Sequence, residues 1–337
     1  MDYYNIYGFI FSVEGQVEKI FRKEFKRFAI NKPLKELDLV IAEYKGKKSF
    51  PIQPKGEKWG LKLPTSKEDN VILYNTSTSS KFILGIFEGY LMWADKCFLH
   101  AGAVAHNNKR VIFTGSGNVG KTSLVLQALR RGYEYLSDDW LIIGDGKAYP
   151  FPKRLRVFDY NLVYDKKMAR KVIDRNIYII YPLTIIWYYI RKFLIKTAPH
   201  RYLKRVLGIL RPIYQIDIEN LVSNVKVGKL GPIEKVIYLE RNAISNVIIK
   251  DISPQLLATK MVAMNFFERN YFFQYYYLGS FLNGVDSKIE IGKRYIKEKN
   301  IMEDTFSKVF LYHVQIPNRM TPEELWINLV KKGIIDG

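Results

Sequence analysis

A single cysteine, Cys97, rules out any disulfide within the chain and fits a reducing, intracellular setting. Histidine is almost as scarce. His100, His106, His200 and His313 are scattered, so no Cys/His set has zinc-binding spacing. The conspicuous uncharged run, Ile177 to Ile190 (IYIIYPLTIIWYYI), has only 14 residues and contains Pro182. A membrane-spanning helix needs about 20 apolar residues, so this run is too short to be one. The 22 Gly and 13 Pro among 337 residues are ordinary and exclude collagen-like or low-complexity chains. The N-terminus, MDYYNIYGFIFSVEG, carries an acid where a signal peptide carries lysines, and no small-residue cleavage site follows. A cytoplasmic protein, soluble or at the membrane periphery, is the expectation.

Acids are also in deficit: 33 Asp+Glu face 53 Lys+Arg, a formal charge of +20. Such an excess points to an anionic partner, whether nucleotide, nucleic acid, acidic lipid or phosphorylated substrate. What the sequence does hold is apolar mass, 48% hydrophobic against 26% charged, enough for a core and against wholesale disorder.

Four regions follow from the pattern. Residues 1–85 predict a small α+β region, with strands in FIFSVEG and LDLVIAEY. A helix over Val17–Phe28 would set Ile20, Phe21, Phe25 and Phe28 near one face. Turn residues cluster at Pro51-Ile-Gln-Pro-Lys-Gly. Residues 86–165 begin from a helical stretch over Lys81–Lys96 and continue as two strands joined at His106-Asn107-Asn108. A glycine-rich loop, a helix ended by Gly132, and a strand–acidic turn–strand over Tyr133–Gly144 follow. Residues 166–225 form a basic, aromatic insert, in which 166–211 hold twelve Lys/Arg against one acid, Asp174. In 226–337, VGKLGPIEKVIYLERN predicts a loop and strand, Ser253–Asn270 a helix and VFLYHVQI a late strand. Thr321-Pro322-Glu323-Glu324 is a capped helix start. The fold expected is α/β: a mixed sheet built on a phosphate-binding loop and flanked by helices, with an N-terminal α+β region and a helical basic insert.

The chemistry concentrates in Gly115-Ser-Gly-Asn-Val-Gly-Lys-Thr122, which fits G-x-x-x-x-G-K-[ST] between a strand and a helix. Glycines let backbone N–H groups turn inward around a phosphate at the positive end of the following helix. The cradle expected comprises Gly115, Ser116, Gly117, Asn118, Val119, Gly120, Lys121, Thr122 and Ser123. Lys121 reaches the β/γ-phosphates of ATP, and the Thr122 hydroxyl is suited to Mg²⁺. Leu136-Ser137-Asp138-Asp139 puts two carboxylates 17 residues after the lysine, on the very next strand. Two adjacent carboxylates can divide the work, one holding metal and one serving as a base of raised pKa. His100, about one strand before the loop, is either a structural hydrogen-bonding group or a catalytic one.

LHAGAV, GSGNVGKTSL and YLSDDWLIIGDGKAYPFP, in this order and spacing, resemble the HPr kinase-related superfamily. That group includes HPr kinase/phosphorylase, free-serine kinases and peptide-serine kinases, and shares a nucleotide-binding core with phosphoenolpyruvate carboxykinase. The resemblance is specific over 97–157 and weaker over 226–262. It implies a metal role for Thr122 and Asp139, Asp138 as the base that activates an acceptor hydroxyl, and His100 near the transferring phosphate. Arg154 and Arg156 would contact substrate or phosphates. The C-terminal signature of HPr kinase/phosphorylase is not evident, and residues 1–85 do not resemble its regulatory domain. The expected function is thus an Mg²⁺-dependent kinase using ATP (ADP as the variant) on a hydroxyl, a serine-type one slightly favoured. The alternative is a nucleotide-gated switch that engages an anionic membrane or nucleic acid.

For 166–211 three readings stand side by side: a helical subdomain packed on the core or on a second copy in a homo-oligomer, a membrane-surface element, and a basic platform for RNA. The aromatic run Phe266–Tyr277 reads as core or interface.

Overall fold

The computed structural model describes residues 1–15, 18–33, 35, 37–42, 60–62, 71–74, 87–88, 91–92, 94–173, 177–197, 213–282 and 291–336. The turn cluster expected at 51–56 lies outside them, as do 198–212 of the insert. Of the helix expected over 81–96, residues 87–88 and 91–92 are helical, and 81–86, 89–90 and 93 lie outside the described set.

The chain is mixed α/β, with mixed sheets flanked by helices. The first sheet contains β1 (Asp2–Ile6), β2 (Phe9–Val13), β3 (Ala29–Ile30), β4 (Leu39–Ala42), β5 (Gly60–Lys62) and β6 (Val71–Tyr74), in the order β3-β1-β2-β4-β6-β5. Tyr7 and Gly8, both at positive φ, close the two-residue turn between β1 and β2, the geometry that matches strand twist. α1 (Glu18–Glu24) is shorter than the helix the sequence predicts. At Phe25 the backbone leaves the helix (φ −115°, ψ 20°), and Lys26–Phe28 wind into a 3₁₀ turn. The break lets Phe25 stay with Phe21 against Tyr4 and Phe11, while Phe28 swings to Phe151. These rings, with Phe87 and Phe98, run from the first sheet into the second.

The second sheet positions the site. It comprises β7 (Cys97–Leu99), β8 (Ala101–His106), β9 (Lys109–Gly115), β10 (Glu134–Ser137), β11 (Leu141–Gly144), β12 (Lys147–Tyr149), β15 (Gly231–Asn242), β16 (Ile248–Asp251) and β17 (Phe310–Pro317). The long strand β15 joins its two halves: Gly231 and Pro232 pair with β12, and the remainder lies parallel between β9 and β17. Strand alternation sends side chains to opposite faces. Val104, Phe113, Ile237 and Leu239 meet α2 (Lys121–Leu129) and α9 (Pro322–Lys331) on one face. Ala103, Ala105, Ile112 and Val236 meet α7 (Pro254–Leu282) and α8 (Ile291–Ser307) on the other. Helix α7 runs well past the Asn270 end expected from sequence. Thr321 and Glu324 form the reciprocal cap expected at the start of α9.

The basic insert leaves and rejoins the body through a strand pair that sequence patterning did not reveal. β13 (Leu155–Phe158) and β14 (Ile213–Ile216) are antiparallel, with Phe158 opposite Ile213. Between them lie α3 (Asp159–Tyr164), α4 (Lys166–Ile173) and α5 (Ile177–Thr197); α6 (Ile218–Leu221) follows. Pro182 sits inside α5, and the helix continues through it. Among the described residues, no helix is long and apolar enough to cross a membrane.

Arg191 on α5 donates to the fully buried Asp159 carboxylate at 2.7 Å, pinning α5 to α3. Asp159→Ala leaves a buried cation without this acceptor, which typically costs about 3–5 kcal/mol. The expected result is a matching drop in unfolding free energy in urea, larger than that of the charge-free double variant Asp159→Leu/Arg191→Met.

Candidate functional site

Strand β9 ends at Gly115, where the chain turns sharply. Its φ is +144°, and a Cβ there would lie 2.3 Å from the Leu239 carbonyl of β15. Only glycine lets the loop start this close to the parallel neighbour. Asn118 (φ 65°) and Gly120 (φ 113°) complete the reversal, and Lys121 opens α2. Gly115→Ala is expected to cost about 2 kcal/mol or more, read as a lowered thermal midpoint; Gly117→Ala, with open space around its Cβ position, is the mild control.

Lys121 is buried and donates from Nζ to the carbonyls of Gly115 at 2.7 Å and Ser116 at 2.9 Å. Burial draws its pKa down to about 8, against the opposing pull of Asp139 and Asp138. The ammonium is thus folded back on its own loop, where an incoming anion would offer a stronger acceptor.

Thr122, the next residue, donates from Oγ1 to both carboxylate oxygens of Asp138, at 3.0 and 3.1 Å. Asp138 follows β10, which pairs with β8, which in turn pairs with β9. The acidic turn therefore lies two strands from the loop yet beside its helix. Gly102 on β8 makes room for that approach: a Cβ there would sit 2.7 Å from Val125 of α2. Burial first, then the neighbouring Asp139 charge, push the Asp138 carboxyl up to about 7; Thr122, Lys121 and Arg156 pull it only partly back.

Asp139 behaves oppositely. It sits at φ +80° in the acidic turn and meets other partners. Oδ1 lies 3.3 Å from His100 Nε2 and Oδ2 lies 3.6 Å from Arg156 Nη1. Burial alone would raise its pKa, but the His100 hydrogen bond and charge, with Arg156 and Lys153, hold it at about 2. Two adjacent carboxyls are thus pushed in opposite directions, Asp138 toward keeping its proton and Asp139 toward losing it. The resemblance gives Thr122 and Asp139 a shared metal role; the carboxylate bonded to Thr122 is that of Asp138.

His100 lies between β7 and β8, its backbone N–H donating to Asn265 Oδ1 and its carbonyl accepting from Thr114 Oγ1. Its ring rests near Trp140, and Nδ1 is buried with no hydrogen-bond partner among the described residues. Arg156 reaches the acidic pair, whereas Arg154 turns away, donating to the Gln215 carbonyl at 2.6 Å and lying 3.6 Å from Asp217.

Arg241 was not singled out from sequence. It stands at the far end of β15, with Nη2 3.9 Å from where a Gly120 Cβ would be, and donates to the carbonyls of Pro317 and Met320. The usable signal was position: ligands gather at the carboxyl ends of parallel strands, and Arg241 closes such a strand. Lys153 was also missed. It pairs with Glu24 at 2.7 Å and adds to the positive surroundings of Asp139.

The loop can accept an anion through backbone N–H groups, Lys121 and the positive end of α2. The acidic pair offers one carboxyl pushed up to about 7 and one held low by its cationic neighbours. No family model matches the chain, and no curated protein matches it either.

Proposed function

We propose that the chain is an ATP-dependent kinase that transfers a phosphoryl group to a hydroxyl. The observation that carries the reading is the bond between Thr122 Oγ1 and the Asp138 carboxylate, one residue past Lys121 of the glycine-rich loop. Phosphate-binding groups and a carboxyl with a pKa of about 7 thereby share one site. The strand–loop–helix order, with its acidic pair in the turn after the next strand of the sequence, supports an HPr kinase-like, phosphate-loop core. It matches the resemblance carried by residues 97–157.

Mg²⁺ suits the donors available. Among the described residues no group of three His, Cys, Asp or Glu could hold a metal alone. Mg²⁺ needs less, since it typically takes one or two carboxylates and completes its shell with phosphate oxygens and water. The Thr122 hydroxyl would supply a protein oxygen; Asp139, paired with His100 and Arg156 rather than with Thr122, would act on the ion as a nearby fixed negative charge, and the bound ion would neutralise charge on the phosphates. Lys121 and the loop N–H groups from Gly115 to Ser123 orient the nucleotide. Asp138 takes the proton as the acceptor oxygen bonds to the γ-phosphorus and the bond to the ADP oxygen breaks. A base with pKa near 7 is matched to that task at neutral pH. His100 and Arg156 fix Asp139 and leave it charged throughout. Arg156 lies close enough to contact substrate; Arg154 is engaged with β14.

A switch reading draws on one observation, the exposed apolar face of α5. The two separate on hydrolysis without acceptor. The kinase predicts negligible ADP formation and phosphate release from ATP and Mg²⁺ alone; once a hydroxyl acceptor such as serine, a serine peptide or a sugar is added, ADP should form one for one with phosphorylated acceptor, still without free phosphate. Steady release without acceptor, unchanged in Asp138→Asn, would favour the switch.

A further inference from the structure

Helix α5 packs one side against the body, while its opposite, apolar side is open among the described residues. Thr184, Tyr188 and Arg191 are buried against the body, with Arg191 held by Asp159. On the opposite side Ile179, Leu183, Ile186, Ile190 and Phe193 follow one another at alternating steps of four and three. That repeat lays them along one stripe of the helix. All five are between 46% and 66% exposed, and Tyr178 and Tyr189 on the rim are exposed as well. A continuous open apolar stripe of this kind marks an interaction site.

Charge selects the occupant. Residues 166–197 hold eight Lys/Arg and one acid, Asp174, and α5 itself contains no acid at all. Lys192 and Lys196 are exposed, Lys192 with its ammonium 5.8 Å from the Tyr188 ring. A 100° turn per residue puts Lys196 about 100° and Lys192 about 140° from the middle of the stripe, both on the flank that carries Tyr178 and Tyr189. A second copy of this face would bring like charge to like charge with no carboxylate to pair them. An anionic lipid surface answers both features: acyl chains receive the stripe, headgroup charges receive the cations, and tyrosines suit the boundary between them.

We propose that α5 lies flat on an anionic membrane, inserting Ile179, Leu183, Ile186, Ile190 and Phe193 while its Thr184–Tyr188–Arg191 side stays docked on the protein. Spanning is excluded by that docking and by the cations in its last two turns. The inference is independent of the kinase reading, because it requires no nucleotide.

The test is co-sedimentation of the full chain with vesicles of phosphatidylcholine alone or with about one third phosphatidylserine, at low and high salt. Binding is expected to the anionic vesicles, to weaken with salt, and to fall at least tenfold in both Ile186→Glu and Lys192→Glu/Lys196→Glu. Because these side chains are exposed, circular dichroism and thermal midpoints of the variants should match the parent, which separates lost binding from lost folding. Failure to bind anionic vesicles at low salt would overturn the proposal. So would a stable dimer in solution that Ile186→Glu dissociates, or RNA binding through this face in place of vesicle binding.

Discussion

Replacing Lys121 by alanine is expected to abolish tight nucleotide binding. The ammonium is buried and already hydrogen-bonded to two loop carbonyls, so it approaches a phosphate without first being stripped of bulk water. Deleting one partner of a buried, hydrogen-bonded charge pair costs about 2–5 kcal/mol, roughly 30-fold to a few thousandfold in affinity. Titration with an ATP analogue measures it. The same substitution leaves a signature in the free protein. Lys121 has a pKa of about 8 against an ordinary 10.5, so between those values the unfolded chain binds the proton and the native one has released it. Stability of the parent should therefore rise with pH across that window, and Lys121→Ala should lack this contribution. An affinity within threefold of the parent would remove Lys121 from any phosphate-binding role.

Asp138→Asn carries the second large effect, with opposite consequences for activity and stability. Loss of a general base lowers transfer by about 10²–10⁴-fold. The amide keeps an oxygen that can accept from Thr122, so binding of nucleotide should be nearly unchanged. In the parent the native carboxyl has a pKa of about 7, raised by burial and by Asp139 from an ordinary 3.8. Between pH 4 and 7 the native state holds a proton that the unfolded chain has lost, so stability declines as pH rises through this range. The amide that replaces it never ionises, and the variant should be the more stable protein above pH 7. Urea midpoints at pH 5, 6, 7 and 8 measure the difference, which should grow with pH and then level off. A variant both active and less stable at pH 8 would contradict the assignment of Asp138 as a buried base.

The candidate site was legible in sequence where it is local. The glycine-rich loop declares itself because Gly115, Gly120, Lys121 and Thr122 must stand at fixed separations. The acidic pair follows because one helix and one strand fill the 17 residues from Lys121 to Asp138. The turn at Asn107-Asn108 was readable too: both residues adopt positive φ, as that two-residue hairpin demands. What escaped is non-local. The division between Asp138 and Asp139 depends on which neighbours each meets, Thr122 for one and His100 and Arg156 for the other, which no spacing rule signals. Arg241 reaches the loop only because β15 lies parallel to β9, a pairing across more than 100 residues. Likewise β13 and β14 are short strands whose partner lies beyond an intervening helical insert. The 14-residue apolar run was visible, yet composition could not divide α5 into a covered and an open side. That required Asp159, met by Arg191 in three dimensions.

The account stands on phosphoryl transfer, and transfer of label from γ-labelled ATP tests it most directly. The protein, Mg²⁺ and a panel of serine, serine peptides, sugars and polyprenols would be run beside Lys121→Ala and Asp138→Asn. The account predicts label on one hydroxyl class, lost in both variants, with an acidic limb near pH 7 in the parent's rate. Absence of label on every acceptor, accompanied by acceptor-free phosphate release that persists in Asp138→Asn, would contradict it.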